Sequence, residues 1–137
     1  MIVPAFVDSN ILIYAASSDP SEKAKKAKAV ELIGRTEFGI SAQVLTEFYS
    51  VVTRKIRVPM PAAVALRWVE LLEQQPCVSV DSALVKRGAA ISERYQISYW
   101  DGAILAAAEY LGAETVYSED MSHGQSYGSV KVINPFA

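Results

Sequence analysis

A short apolar run, residues 2–7, stops abruptly at the carboxylate of Asp8, and a second apolar stretch of helical length begins directly after Asn10. A strand that passes straight into a helix is the building unit of α/β folds. In an open sheet of that kind the junction lies at the carboxyl edge of the strands, where ligands bind. Asp8 is thereby placed facing a crevice. The same residue is also a good helix N-cap, because a short side-chain oxygen satisfies a backbone N–H that the first turn leaves orphaned. Both roles stay open at this point.

The pattern recurs along the chain. Asp19 and Pro20 make an N-cap and first-position pair that opens a helix to about Gly34, with Lys23, Lys25, Lys26 and Lys28 set against Ala27, Val30 and Ile33. Residues 38–41 form a second strand, and Ser41 caps a helix to about Arg54 whose apolar stripe is Val44, Leu45, Phe48, Val51 and Val52. Glu47 sits at the border of that stripe, early enough in the helix to lie near the same sheet edge as Asp8. Arg54, Lys55 and Arg57 close the helix, and after Pro59 and Pro61 another begins with Val64, Trp68, Leu71 and Leu72 as its expected buried side.

Residues 77–80 form a third strand ending at Asp81, followed by a helix with Leu84, Gly88, Ile91 and Tyr95 at helical spacing. The segment 97–112 is a strong helix stopped by Gly112. Asp101 lies in its first turn, at capping-box spacing from Ser98, and Ala106, Ala107 and Ala108 predict close packing on a sheet. Residues 115–118 form a fourth strand ending in Glu119 and Asp120, and a loop over 121–128, with His123, leads to a last strand at 130–133. Alternation from end to end predicts one α/β domain over residues 1–137, with three layers (α/β/α) and a central, mostly parallel sheet of about five strands flanked by helices.

Composition narrows the chemistry. One cysteine, Cys77, excludes an internal disulfide, and with one histidine, His123, it cannot build a Cys/His zinc site, so any metal must be held by oxygen. A net charge of −2 does not announce nucleic-acid binding, yet a nuclease with an acidic centre and basic flanks sums to such a value. No basic segment precedes the first apolar run, and no stretch approaches the roughly 18 apolar residues of a membrane span. A soluble, cytoplasmic protein without membrane association is expected.

Asp8, Asp81 and Asp120 follow strands, while Glu47 and Asp101 lie in early helical turns, so all five can share one edge of the sheet. Carboxylates crowded in one crevice repel one another and raise their pKa values unless cations hold them together. Hard divalent ions with oxygen ligands, Mg²⁺ or Mn²⁺, suit such a set. Their characteristic work is to activate water and neutralise charge on a phosphodiester.

These residues also resemble a known family. Asp8-Ser9-Asn10 after the first strand, Glu47 after the second, Trp100-Asp101 opening a small-residue helix and Ser118-Glu119-Asp120 after the fourth strand are similar to the PIN-domain nucleases. In length the chain looks most like the VapC-type toxins of toxin–antitoxin pairs, and the resemblance runs from about residue 3 to residue 134. It implies a Mg²⁺- or Mn²⁺-dependent endoribonuclease, a hydrolase with RNA as substrate. It further implies that Asp8, Glu47, Asp101 and Asp120 bind the metal and act in catalysis, that Asn10 and Ser118 support them by hydrogen bonds, and that a cognate antitoxin and a homodimer are the protein partners. Ser9 and Ser118 stand where threonine is commoner in the family and keep the hydroxyl. Asp81 has no counterpart there and is expected to be a cap, two strand spacings or roughly 10 Å from Asp8 if the third strand lies at the edge.

Three alternatives compete. A PIN-type nuclease of RNA maturation, outside any toxin–antitoxin pair, shares every residue. A phosphoacceptor signalling domain requires paired acids after the first strand and a lysine after the fifth, and both are missing. A non-catalytic binding module gains nothing from four negative charges in an RNA groove. The residues Arg54, Lys55, Arg57, Lys86, Arg87 and Arg94 are the candidates for backbone contacts, and His123 is expected to be an exposed loop residue.

Overall fold

The first apolar run becomes a central strand because it is buried on both faces. The computed structural model describes residues 2–137, and in it strand β1 (Ala5–Val7) is buried throughout. In chain order the elements that follow are α1 (Ser9–Ala16), α2 (Lys23–Arg35), β2 (Phe38–Ser41), α3 (Ala42–Arg54), α4 (Ala62–Leu72), β3 (Cys77–Val78), α5 (Ser82–Tyr95), α6 (Tyr99–Tyr110), β4 (Thr115–Tyr117), β5 (Ser126–Tyr127) and β6 (Val130–Ile133). A single 3₁₀ turn, Pro20–Glu22, leads into α2. The sheet runs β3-β2-β1-β4-β6-β5, with every pairing parallel except the β5–β6 hairpin. Ala5 lies opposite Phe38 on one side and Thr115 on the other, so the ends of β1, β2 and β4 reach one edge together.

Helices form the outer layers in packed groups, α1 with α2 and α3, α3 with α4, and α5 with α6. Phe6, Val7, Ile11, Ile40, Phe48 and Val116 are all fully buried at the interfaces of these layers with the sheet. No helix among the described residues is long and apolar enough to cross a membrane.

Three expectations are corrected. The sheet has six strands rather than about five, because Ser126 and Tyr127, expected in a loop, fold back on Lys131 and Val130. Gly128 allows this two-residue connection with its φ of +63°. Helix α4 buries Ala65 and Leu72, while Val64 and Leu71 are exposed and Trp68 is partly covered against Phe48. Helix α2 buries Ala29 and Leu32 rather than Ala27 and Val30. In both helices apolar residues occur on more than one face, and the partner, not the periodicity, selects the face.

Helices α5 and α6 meet through glycine. A Cβ on Gly102 would overlap the Gly88 carbonyl oxygen and lie 3.0 Å from the Ser92 backbone nitrogen. In an exposed helix interior, alanine is better than glycine by about 1 kcal/mol. Here both obstacles are backbone, so Gly102→Ala should instead destabilise the protein, by about 1–3 kcal/mol. A thermal melt of this variant checks the sign, and a raised Tm would refute the close α5–α6 approach.

Candidate active site

The β1–β4 ladder continues one residue beyond β1: the Asp8 N–H donates to the Tyr117 carbonyl at 3.0 Å. This sets Asp8 beside Ser118, the first residue after β4. Asp8 is indeed the N-cap of α1, its Oδ1 accepting from the Ser9 N–H at 2.7 Å. Capping uses only that oxygen. Oδ2 accepts the Ser118 hydroxyl at 2.8 Å and the Asn10 amide at 3.3 Å.

Asn10 ties the two strand ends together. Its Nδ2 reaches Asp8 Oδ2, Ser118 Oγ at 3.3 Å and Asp120 Oδ2 at 3.2 Å, while its Oδ1 accepts from the Glu119 N–H at 3.0 Å. Ser118 Oγ in turn accepts from the Asp120 N–H at 3.2 Å. The turn after β4 is therefore held in place by the turn after β1.

Glu47 approaches from the second turn of α3 and Asp101 from the first turn of α6, where the Asp101 N–H donates to the capping Ser98 hydroxyl at 3.1 Å. Gln43 joins these two helices, its Nε2 donating to Glu47 Oε1 at 3.0 Å and to the Trp100 carbonyl at 3.3 Å. Sequence reasoning passed over Gln43. Its signal was the i,i+4 spacing from Glu47, which places both on one helix face.

The electrostatics bind the four acids into one set. Asp8 is 7% exposed, and this burial pushes its carboxyl up to about 6. The hydrogen bonds from Ser118 and the Ser9 N–H oppose that rise, and the Glu47 and Asp120 charges add to it. Asp101 is raised as well, by partial burial and by Asp120. Among the described residues, none of the four pairs with a lysine or arginine. Nor do three Asp, Glu, His or Cys groups among the described residues already stand together as a ready cage for an ion. The set is an open, uncompensated group of hard oxygen donors. In charge and donor type it fits a divalent cation of the Mg²⁺ class.

Other acidic and basic candidates stand apart. Asp81 caps α5, accepting from the Leu84 N–H at 2.9 Å, beyond the edge strand β3 and two strands from β1. Glu119, next to Asp120, accepts from the Tyr14 hydroxyl at 2.7 Å and is ion-paired to Lys25. Burial alone would raise the Glu119 carboxyl, but the hydrogen bonds from Lys25 and Tyr14 outweigh it and hold the group below its usual range. Glu119 is thereby kept out of the crevice. No local pattern announces this pair, whose members are 94 residues apart. His123 is exposed and its Nδ1 accepts from the Asn134 N–H at 2.9 Å. Arg57 pairs with Asp19 at 3.2 Å, and Arg87 grips Glu109 through two bonds of 2.8 and 2.9 Å. Arg54, Lys55, Lys86 and Arg94 are exposed.

Among models of known protein families, that of the PIN domain matches residues 5–124. A comparison with curated protein sequences finds no match. Several solved structures share the fold. VapC20 of Mycobacterium tuberculosis, described as a sarcin–ricin loop cleaving toxin, is 22% identical with a TM-score of 0.68, over 85% of this chain and 89% of that one. A toxin–antitoxin complex from Klebsiella pneumoniae contains a chain 19% identical with a TM-score of 0.67, over 96% of this chain and 97% of that one. FitAcB from Neisseria gonorrhoeae has a chain 18% identical with a TM-score of 0.65, over 96% and 98% respectively.

Proposed function

The chain belongs to the PIN-domain family, and from that premise we propose that residues 1–137 form one nuclease unit: a metal-dependent endoribonuclease that acts in the cytoplasm as the toxin of a toxin–antitoxin pair. The observation that carries the catalytic half is the Asn10 amide, which holds the carboxylates of Asp8 and Asp120 together across the ends of β1 and β4. A buried acid and an exposed one drawn together by a neutral donor, with no lysine or arginine partner among the described residues, are arranged for an external cation rather than for structural ion pairing.

In this proposal Asp8, Glu47, Asp101 and Asp120 hold Mg²⁺ or Mn²⁺, and Asn10 and Ser118 orient Asp8 and Asp120. A bound ion of this class lowers the pKa of water and neutralises charge on a phosphodiester. The chain's own groups prepare for that. With its carboxyl raised to about 6, Asp8 is partly protonated near that pH in the absence of a cation, so loading the site there would release protons to solvent. The Ser118 hydroxyl is fully buried and committed to Asp8, which suits it to support the site rather than to attack substrate. The toxin half of the proposal rests on the fold shared with the M. tuberculosis toxin and the K. pneumoniae complex. By the same analogy the partners are a cognate antitoxin and a second copy of this chain.

The test is to incubate the antitoxin-free protein with total cellular RNA in Mg²⁺ or Mn²⁺ and map the new ends. Discrete cuts that disappear with EDTA and in Asp101→Asn are expected. Cuts that persist in EDTA would refute the metal-dependent mechanism, and intact RNA alongside demonstrated metal binding would refute a general ribonuclease.

A further inference from the structure

Against Glu47, and next to Asp101 through Trp100, lies a hollow of about 540 Å³ whose other lining residues, Ala42, Gln43, Thr46, Val80 and Trp100, have no part in the catalytic proposal. Trp100 is 65% exposed although it immediately precedes Asp101. The Tyr99 ring packs against it in a T-shaped contact at 5.2 Å, which restrains the indole while most of the side chain stays exposed. Exposed indoles are costly surface, and one fixed beside a catalytic crevice calls for an occupant. Resting on the ribonuclease reading above, we propose that this hollow takes one unpaired nucleobase of the RNA, stacked on Trp100, with Gln43 bonded to its edge.

The lining decides the class of occupant. Ala42, Val80 and the Trp100 indole offer a phosphate no positive charge to pair with, whereas a flat, neutral ring can stack there. The base is the one part of an RNA chain that is flat and uncharged, and single-stranded RNA is recognised by such stacking. Gln43 supplies direction. Both acceptors near its amide, the Glu47 carboxylate and the Trp100 carbonyl, demand its NH₂ group. Its Oε1 is left with no donor among the described residues, so it is an acceptor aimed at an occupant that donates. Every base offers it a donor on the Watson–Crick edge, an exocyclic amine in cytosine, adenine and guanine and the ring N3–H in uracil, so Gln43 orients the base without selecting one.

The test uses a Trp68→Phe background, in which Trp100 is the remaining indole of the two in the chain. Phosphorothioate-linked hexanucleotides of cytidine, of uridine and of abasic ribose are titrated in Mg²⁺ while indole emission is followed. The cytidine and uridine probes should both quench Trp100 and bind about tenfold or more tightly than the abasic probe. Trp100→Ala should weaken cytidine binding about ten- to a hundredfold and Trp100→Phe far less. In RNA cleavage the alanine change should raise KM with little change in kcat, the mark of binding made equally in ground and transition states.

Equal affinity for cytidine and abasic probes would overturn the subsite. So would a Trp100→Ala protein that binds and cuts RNA normally, including one whose only defect is in self-association, which would assign the hollow to a second copy. The two readings fail separately. Quenching by the cytidine probe in a protein that cuts no RNA sinks the nuclease and leaves the subsite standing, whereas normal cleavage by Trp100→Ala sinks only the subsite.

Discussion

Asp8→Asn should abolish RNA cleavage and, in the metal-free protein at pH 7.5, raise the melting temperature. Both effects come from the same carboxylate. Loss of a cation ligand removes several kcal/mol of transition-state stabilisation, at least about a thousandfold in rate. The gain in stability follows from burial, which lifts the Asp8 carboxyl from an ordinary 3.8 to about 6 in the folded chain. Below pH 4 the group is protonated folded or unfolded and imposes no penalty. Between pH 4 and 6 the unfolded chain releases a proton that the folded chain keeps, so stability falls as pH rises, and above 6 the full cost of about 3 kcal/mol is present.

Asparagine imitates the neutral acid. It preserves an acceptor for the Ser9 N–H, the Ser118 hydroxyl can rotate to accept from the new amide, and Asn10 gives up its long 3.3 Å contact to residue 8 while keeping that to Asp120, a smaller loss than the burial cost removed. The melting curves of wild type and variant should therefore converge near pH 4 and separate by several degrees at pH 7.5. Mg²⁺ should raise the wild-type melting temperature much more than that of the variant. Parallel curves across the whole pH range would mean that Asp8 is not held as a strained acid. Substantial cleavage by the variant would remove it from the catalytic set.

Asn10→Asp should be the most damaging isosteric change in the molecule. It leaves no cavity, yet it turns the donor that reaches Asp8 at 3.3 Å and Asp120 at 3.2 Å into another carboxylate. Repulsion replaces attraction at both contacts, and the metal-free protein at pH 7.5 should lose about 2–3 kcal/mol. Because the damage is charge repulsion, it should shrink as the pH is lowered toward 4 and in saturating Mg²⁺, where a cation offsets the extra charge. Asn10→Ala separates the roles: it removes the donors without adding charge, so its stability loss should be smaller and nearly independent of pH. Metal affinity, read by calorimetry, should nevertheless fall about ten- to a hundredfold, as is usual for groups that orient ligands. If the aspartate and alanine variants melt alike at every pH, the Asn10 amide is not what holds the two acids together.

Much of this architecture is written in short-range terms and could be derived from the chain alone. The caps at Asp8, Ser41, Asp81 and Ser98 are local, since each oxygen meets an N–H one to three residues onward. The alternation of strand and helix implies a parallel sheet, and it brings Asp8 and Asp120 to the same edge because parallel strands end on the same side. Glu47 and Asp101 were placed near that edge by the same reasoning, from their positions early in α3 and α6.

What only the tertiary structure decided is which partner each ambiguous group takes. Ser126 and Tyr127 are too few to signal a strand until β6 offers its edge. Helices α2 and α4 carry apolar residues on more than one face, and the buried face is set by the helices packed against them. The family resemblance marks Asn10 as a support for the acids, but which groups it bonds is decided only when β4, more than 100 positions away, supplies Ser118 and Asp120. Glu119 and Asp120 are neighbours of like charge, and only Lys25 and Tyr14 distinguish the acid that is withdrawn from the one that faces the crevice. Local geometry repeats with the period of the backbone and so marks the sequence. A contact closed across a long loop leaves no such period, and the fold alone determines it.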